Sequence, residues 1–141
     1  MDKKVLHLTI VSQERALLSE TVEQVTAPAS EGEITVLPDH IPLMSKLDYG
    51  ELRYVKDGQE NSLVVSKGFI NVEPNNQVTV MVDAAKLVRE ISLEKAQQAY
   101  QEARETMASS QDQREMILAE ASLRQALWEI RVAQKTKKSS I

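Results

Sequence analysis

Few side chains in this 141-residue sequence could carry out chemistry by themselves. The chain has no cysteine and two histidines, so its sequence excludes thiolate nucleophiles, disulfides and cysteine-ligated metals. His7 lies in an alternating apolar stretch without a second metal ligand beside it, and we interpret it as a surface or inter-strand histidine. Asp39 and His40 would suit general-base chemistry. Adjacent side chains of an extended chain point to opposite sides, however, which favours a turn or contact role.

The remaining polar candidates give no stronger indication of catalysis. The acidic pairs Glu31/Glu33 and Glu94/Glu102 are typical of solvated charge, and no glycine-rich phosphate loop precedes a helix. Trp128 falls just off the apolar stripe of its helix, where half-burial against the sandwich and a partner contact are equally good interpretations. The sequence therefore indicates a binding or mechanical component rather than an enzyme.

Composition and charge narrow the class of protein further. The net charge of −4 and the pI of about 5.3 argue against a dedicated nucleic-acid binder. No apolar run approaches the ~18 residues of a membrane-spanning helix. The first residues resemble neither a secretory signal nor a transit peptide, so we expect a bacterial protein that is not exported. Residues 1–85 carry a net charge of −6 and residues 86–141 carry +2, which suggests two units with different partners.

Residue usage places a domain boundary within residues 84–90. All four glycines and all four prolines precede residue 75, and twelve of the fourteen valines precede residue 83. After residue 86 the sequence turns to alanine, glutamate, glutamine, arginine, lysine and leucine, which favour helices. We therefore predict a β domain over residues 1–86 and a helical domain over residues 87–141.

The first domain has the pattern of an antiparallel β-sandwich. Apolar and polar residues alternate in segments 4–12 and 77–83, which predicts strands with one buried face. Asp57-Gly58 predicts a tight hairpin, and Pro74-Asn75-Asn76 predicts a turn. Further short strands are predicted at 22–27, 33–37, 51–56, 62–66 and 69–73. Many short strands at this spacing indicate a sandwich or a barrel.

The second domain has the pattern of an antiparallel two-helix hairpin. Ser92 is a predicted N-cap, the segment 108–111 interrupts the helical pattern, and Asp112 with Glu115 resembles a capping box. The predicted buried stripes are Leu93, Ala96, Tyr100, Ala103 and Met107 in the first helix, and Met116, Ala119, Leu123, Ala126, Leu127, Ile130 and Ala133 in the second. These stripes are rich in alanine, so we expect a weakly stabilised hairpin that can exchange between two positions.

Two segments resemble the epsilon subunit of F-type ATP synthases. Residues 30–43, SEGEITVLPDHIPL, are similar to a family segment of the form S-E-G, then P-x-H-x-P-L. Residues 66–85, SKGFINVEPNNQVTVMVDAA, are similar to the family's S-G-G-F segment and the V-T-V stretch that follows it. Residues 6–12 and 127–133 also match, so the resemblance covers nearly the whole chain in order.

The resemblance implies a non-catalytic rotor subunit at the foot of the central stalk. Its sandwich would grip the gamma subunit and the loops of the c-ring, coupling proton flow to ATP synthesis. Its hairpin would fold down, or extend along gamma to the alpha/beta catalytic head and block ATP hydrolysis. The implied location is the cytoplasmic face of the bacterial cell membrane, as a peripheral protein.

The resemblance also assigns candidate contact residues. The predicted c-ring contact comprises Ser30, Glu31, Gly32, Glu33 and His40; the alternative is that these residues only build turns. The predicted contact to the catalytic head comprises Arg114, Arg124, Arg131 and Lys135; the alternative is ordinary solvated helix charge.

The sequence departs from the family pattern at several positions. Asp39 and Lys67 stand where glycines are usual, and we expect local backbone changes only. Some members bind ATP through an Ile/Leu-Asp-x-x-Arg-Ala motif, which is Ile91, Ser92, Lys95 and Ala96 here, and the arginines expected on the second helix fall at Gln125 and Glu129. Lysine lacks arginine's two-pronged phosphate recognition, so we predict weak or absent ATP binding and no cofactor.

Two alternatives to a synthase subunit remain at this point. The chain could be a free-standing sandwich-plus-hairpin adaptor that binds another protein, or an enzyme with an unrecognised site. Stable co-purification with gamma distinguishes the synthase subunit from the adaptor.

Overall fold

The computed structural model describes residues 4–139, with side chains placed for residues 4–135. The chain divides into two compact units, which meet between Ala85 and Lys86. The first unit is a β-sandwich and the second contains two antiparallel helices, so the predicted fold class is confirmed.

Ten strands form one continuous sheet that folds into the sandwich. Along the sheet the strand order is β10-β7-β6-β3-β5-β8-β9-β1-β2, and β4 pairs with β3 beside this path. The strands are β1 (Leu6–Ser12), β2 (Ala16–Val22), β3 (Gln24–Ala29), β4 (Gly32–Val36), β5 (Leu43–Leu47), β6 (Gly50–Lys56), β7 (Gln59–Val65), β8 (Gly68–Glu73), β9 (Gln77–Val82) and β10 (Ala85–Leu87).

The alternating strands bury one face, as their sequences predict. Leu6, Leu8 and Ile10 of β1 are fully buried, and the valines at alternate positions of β9 lie beside them in the core. Each fully buried leucine or isoleucine contributes about 1.5–3 kcal/mol of transfer free energy. The sandwich therefore has a core of large aliphatic side chains.

One strand pairing departs from the antiparallel prediction. β1 and β9 run parallel, in a register that extends from His7 opposite Gln77 to Ser12 opposite Val82. A parallel pair needs a long connection between its strands, and here the connection contains strands β2–β8. Local sequence patterns cannot indicate a pairing between segments seventy residues apart.

The tight turns form where the sequence predicts them. Asp57 and Gly58 have φ values of 52° and 77° and join β6 to β7, as a two-residue hairpin turn requires. Asn75 and Asn76 also have positive φ, at 67° and 61°, in the turn between β8 and β9. Gly68 has no room for a side chain, because an added Cβ would clash with the main chain of Met81 and lie 2.7 Å from Val82 Cα.

The helical unit begins with a capped helix, α1 (Leu93–Ser109). The Ser92 hydroxyl accepts a hydrogen bond from the Lys95 amide at 3.3 Å, so the predicted N-cap is confirmed. The buried residues of α1 are Ala96 and Ala103, both members of the predicted stripe.

The second helix, α2 (Gln113–Ser139), begins with a modified capping arrangement. Asp112 accepts a hydrogen bond from the Arg114 amide at 2.9 Å, as a capping residue should. Glu115 does not bind the Asp112 amide directly; Ser110 Oγ donates to Glu115 at 2.6 Å and accepts from the Asp112 amide at 3.1 Å. Ser110 therefore bridges the two residues of the predicted capping box.

The buried face of α2 differs from the predicted stripe. Ala119 and Ala126 are buried as predicted, but Glu129 and Val132 are also buried. The larger stripe members Met116, Leu123, Leu127 and Ile130 are only half-buried. The most buried positions of the two helices are thus mostly alanines, which agrees with the expected alanine-rich stripes.

Candidate functional site

The predicted c-ring contact centres on the hairpin that joins β3 to β4. Ala29 pairs with Gly32, which leaves Ser30 and Glu31 as the exposed tip of the turn. Gly32 has a φ of 134°, where a residue with a Cβ is strained. The glycine therefore permits the tight reversal that projects Glu31 into solvent.

Neighbouring strands fix this tip on both sides. On the β5 side, the Ser30 amide donates to the Lys46 carbonyl at 3.0 Å, and the Asp48 amide donates to the Pro28 carbonyl at 2.9 Å. On the β6 side, the guanidinium of Arg53 donates two hydrogen bonds to Glu33, at 2.9 and 3.1 Å. These contacts with Glu33 raise the pKa of Arg53. The tip is thus a rigid feature of the sandwich.

An open groove of about 420 Å³ runs beside the tip. Met44 and Lys46 project from β5 on one side, and Glu31 lies on the other. The groove combines an exposed apolar side chain with one charge of each sign, which suits contact with a short polar loop of another protein.

His40 belongs to a separate turn. The His40 amide donates to the Leu37 carbonyl at 3.1 Å, and Pro38 and Asp39 are the central residues of this turn. Asp39 has a φ of 68°, so its backbone is in the left-handed region that glycine favours. Proline followed by a residue with positive φ is the pattern of a type II turn. The turn predicted at Asp39 and His40 is therefore present, and Asp39 adopts in it the conformation that glycine favours.

Hydrogen bonds hold Asp39 in this conformation. Its amide donates to Asn76 Oδ1 at 2.6 Å, and its carboxylate forms an ion pair with Lys4. The hydrogen bond and charge of Lys4 lower the pKa of Asp39, and Asp39 in turn raises the pKa of Lys4. Because His40 Nδ1 instead donates to the Ile41 carbonyl at 2.6 Å, Asp39 and His40 do not form a general-base pair.

The predicted contact residues therefore form two groups. Ser30, Glu31, Gly32 and Glu33 lie together at the β3–β4 tip. No hydrogen bond or ion pair between described residues joins His40 to that tip. The sequence motifs did not indicate the residues that stabilise these two turns. Arg53 binds Glu33 in the tip, and Lys4 and Asn76 bind Asp39 in the turn before His40.

The positions that align with the ATP motif are occupied by structural contacts. The Ser92 hydroxyl caps α1, Ala96 is buried, and Lys95 is exposed. On α2, Glu129 is 8% exposed and accepts a hydrogen bond from Lys86 at 3.3 Å. Gln125 Oε1 is buried and has no hydrogen-bond partner among the described residues. A carboxylate and an amide oxygen are hydrogen-bond acceptors, whereas phosphate groups are bound by donors and positive charge.

The predicted head contacts lie on α2 and are exposed. Spacings of seven and four residues place Arg124, Arg131 and Lys135 on one face of the helix. Arg124 forms an ion pair with Glu120 at 3.3 Å, and the Arg131 guanidinium lies 5.1 Å from the centre of the Trp128 ring. Arg114 lies in the first turn of the helix, apart from this face. Trp128 is half-buried.

The described residues contain neither a membrane-spanning helix nor a metal-binding cluster. Within residues 4–139, neither helix has an apolar stretch long enough to cross a membrane. In the same part of the chain, histidine and acidic side chains do not cluster in groups that could bind a metal ion.

Two family models match the chain in succession. Residues 5–88 match the β-sandwich domain of the ATP synthase delta/epsilon chain, and residues 89–134 match its long α-helix domain. An ATP synthase epsilon chain of Herpetosiphon aurantiacus is 40% identical over 129 residues, which cover 92% of this chain and 94% of that one. An epsilon chain of Dehalococcoides mccartyi is 43% identical over 135 residues, covering 94% and 95% of the two chains.

Chains of two solved ATP synthase structures also have folds similar to that of this chain. A chain in a Euglena gracilis mitochondrial ATP synthase structure that includes the c-ring has a TM-score of 0.75 and 30% identity, covering 87% of this chain and 78% of that one. A chain from the Tetrahymena thermophila mitochondrial central stalk and c-ring has a TM-score of 0.62, covering 94% and 99% of the two chains. At 10% identity, the second likeness shows the fold alone.

Proposed function

The chain belongs to the ATP synthase delta/epsilon family, and we propose that it is the non-catalytic central-stalk subunit that links gamma to the c-ring. In this role it couples proton flow to ATP synthesis and restrains ATP hydrolysis through its helical hairpin. The observation that carries the proposal is the succession of both family domains over residues 5–134. The same succession favours a synthase subunit over a free-standing adaptor.

The β3–β4 tip supports a contact with the c-ring. Glu31 is exposed at the end of this turn. The turn is held in place by hydrogen bonds to β5 and by an ion pair to β6. A fixed carboxylate beside an exposed methionine can bind a polar loop without much loss of conformational entropy. His40 lies on a second turn, which would contact the c-ring at another point.

The composition of the hairpin supports a regulatory role. Its closest contacts involve alanines, which bury little apolar area, so the helices can separate at a small cost in free energy. Arg124, Arg131 and Lys135 present a basic face that an acidic surface of the alpha/beta head would attract. Two states within a few kcal/mol of each other allow regulation by population shift.

We also propose that the chain, as a subunit of a membrane-bound synthase, is a peripheral protein on the cytoplasmic face of a bacterial membrane. We also propose that ATP binds weakly or not at all, because Glu129 and Gln125 offer no positive charge to a phosphate. Isothermal titration with ATP tests this second point, and micromolar affinity would contradict it.

The central test uses purified gamma and reconstituted synthase. We expect the full chain and a chain lacking residues 88–141 to bind gamma equally, because the sandwich carries that contact. We expect synthase with the truncated chain to hydrolyse ATP faster, while proton-driven synthesis is retained. Loss of gamma binding on truncation would contradict the proposed division between the two domains.

A further inference from the structure

Arg53 lies at the centre of a carboxylate cluster on the sandwich surface. Because β4 and β6 flank β3, the guanidinium reaches across β3 to Glu33 and donates two hydrogen bonds to it, at 2.9 and 3.1 Å. Glu51 accepts a further bond at 3.4 Å, and Glu60 lies 4.0 Å from Nε. The two-point contact with Glu33 has the best geometry of the three, because both oxygens of the carboxylate are engaged.

The two acidic residues of the β3–β4 tip therefore differ in environment. The Glu33 carboxylate is bound on the sheet by Arg53, whose single positive charge is shared with Glu51 and Glu60. Glu31 is exposed in the turn, and within residues 4–135 no hydrogen bond or ion pair engages its side chain. Among the described residues, the Glu31 carboxylate is thus the one acidic group of the tip that no cation binds.

We infer that Arg53 is a positioning residue for the c-ring contact: it binds Glu33 and leaves Glu31 as the carboxylate that meets the ring loop. This inference rests on the proposed function. It separates two residues that the sequence motif groups together, giving Glu33 a structural role and Glu31 the contact. The chemistry of the tip fits a ring loop that offers a basic side chain to Glu31.

The geometry distinguishes arginine from lysine at this position. A lysine keeps the positive charge among Glu33, Glu51 and Glu60 but cannot donate two parallel bonds to one carboxylate. In an Arg53→Lys variant the Glu33 side chain and the start of β4 are less restrained, so the tip that carries Glu31 is held less firmly. We expect the Kd for detergent-solubilised c-ring to rise about three- to tenfold.

Glu33→Gln tests the same contact from the other side. It removes the charged acceptor and leaves Arg53 with Glu51 and Glu60, so the fold is retained and the Kd for the ring rises to a similar extent. Glu60→Gln is the matched control. It removes a carboxylate from the same guanidinium, but Glu60 lies on β7 and not in the tip, so ring binding stays unchanged.

Each variant is measured as the full chain against c-ring and, separately, against purified gamma. Weaker ring binding by Arg53→Lys and Glu33→Gln, with unchanged gamma binding and an unchanged melting temperature, supports the inference. Weaker binding to both partners indicates a general structural role and contradicts it.

A Glu31→Gln variant separates this inference from the proposed function. If Glu31→Gln weakens ring binding while Arg53→Lys and Glu33→Gln bind like the parent chain, the positioning role is wrong and the ring contact stands. If the parent chain does not bind the ring, or Glu31→Gln has no effect, the proposed ring contact itself fails, and the positioning role with it.

Discussion

Asp39 adopts a backbone conformation that glycine would adopt more easily. Its φ of 68° is disfavoured for most residues with a Cβ, although aspartate tolerates it better than alanine. The amide bond to Asn76 and the ion pair with Lys4 offset this cost by tying three distant parts of the chain together. The turn before His40 therefore depends on tertiary contacts.

A pair of substitutions at Asp39 tests this account. Asp39→Ala retains the unfavourable φ and loses the Lys4 contact, whereas Asp39→Gly loses the same contact but relieves the backbone. We expect the alanine variant to unfold at a lower urea concentration than the glycine variant, even though glycine increases the entropy of the unfolded chain. The reverse order would show that the turn in solution does not have a positive φ at this residue.

The Lys4 contact also predicts a dependence of stability on pH. The folded chain holds the pKa of Asp39 below its ordinary value, mainly through the hydrogen bond and charge of Lys4. Such a group contributes stability above its unfolded pKa and loses that contribution as the pH falls through its folded pKa. We expect the parent chain to be more stable than Asp39→Asn near neutral pH, and the difference to shrink below about pH 4.

Urea unfolding followed by circular dichroism between pH 3 and pH 7 measures this difference. Lys4→Met is the control, since it removes the same ion pair from the other side and should give the same pH profile. A difference that stays constant down to pH 3 would contradict the assignment to Asp39.

Some of the site was predictable from residue types and some was not. Gly32 and the tip residues Ser30 and Glu31 follow from a local motif, because a glycine with unusual φ is needed where the turn reverses. The role of Arg53 could not be predicted, because its partner Glu33 is twenty residues away in the chain. Arg53 lies on β6, which pairs with β3 and not with the strand β4 that carries Glu33. The buried Glu129 was hidden for a similar reason, since charged residues on amphipathic helices are usually solvated.

Among the structural elements, α2 carries a contact that the helical pattern did not indicate. Glu129 is buried and accepts a hydrogen bond from Lys86, which precedes the helices in the chain. A buried carboxylate is costly unless a donor satisfies it. The ion pair therefore favours the arrangement in which α2 lies against residue 86.

Substitution of this pair should loosen α2 selectively. Glu129→Gln keeps the side-chain shape but removes the charge that Lys86 binds, and we expect it to reduce the local stability of α2 by about 1–2 kcal/mol. Amides of α2 would then exchange with solvent roughly 5- to 30-fold faster. Hydrogen exchange detected by mass spectrometry or NMR measures this directly.

A double-mutant cycle with Lys86→Met shows whether the two side chains act together. The double variant should cost less than the sum of the two single substitutions, because each single substitution leaves one partner without its charge. Additive effects would mean that Glu129 and Lys86 stabilise the hairpin independently.

Strands β2 and β5 were not predicted, because their apolar and polar residues do not alternate clearly. Strand β5 alternates between inward and outward residues, but its outward residues include Met44, so the apolar pattern is blurred. In β2, Leu17 and Leu18 are adjacent and both half-buried, which gives no period of two. The predicted strand at 22–27 spans the end of β2 and most of β3, since no turn signal separates them.

Across the whole molecule, the size of the buried side chains differs between the two units. The sandwich buries leucines, isoleucines and valines completely, whereas the buried apolar residues of the described helices are four alanines and Val132. Transfer free energy scales with the apolar area buried, so the two units have very different stabilisation per residue. We therefore expect the sandwich to be the more rigid unit and the hairpin to open at a lower cost in free energy.

Hydrogen exchange on the full chain tests this asymmetry. We expect the amides of β1, β8 and β9 to exchange only through global unfolding, because each strand is paired on both sides and faces the core. Amides of α1 and α2 should exchange through local opening at lower free energy, with protection factors smaller by at least about 100-fold. Added urea should reduce this difference in protection to zero only near the unfolding midpoint, where all amides exchange through global unfolding. Equal protection of the helices and the central strands in water would show that the hairpin opens only with the sandwich, and a hairpin of that kind could not change position to regulate ATP hydrolysis.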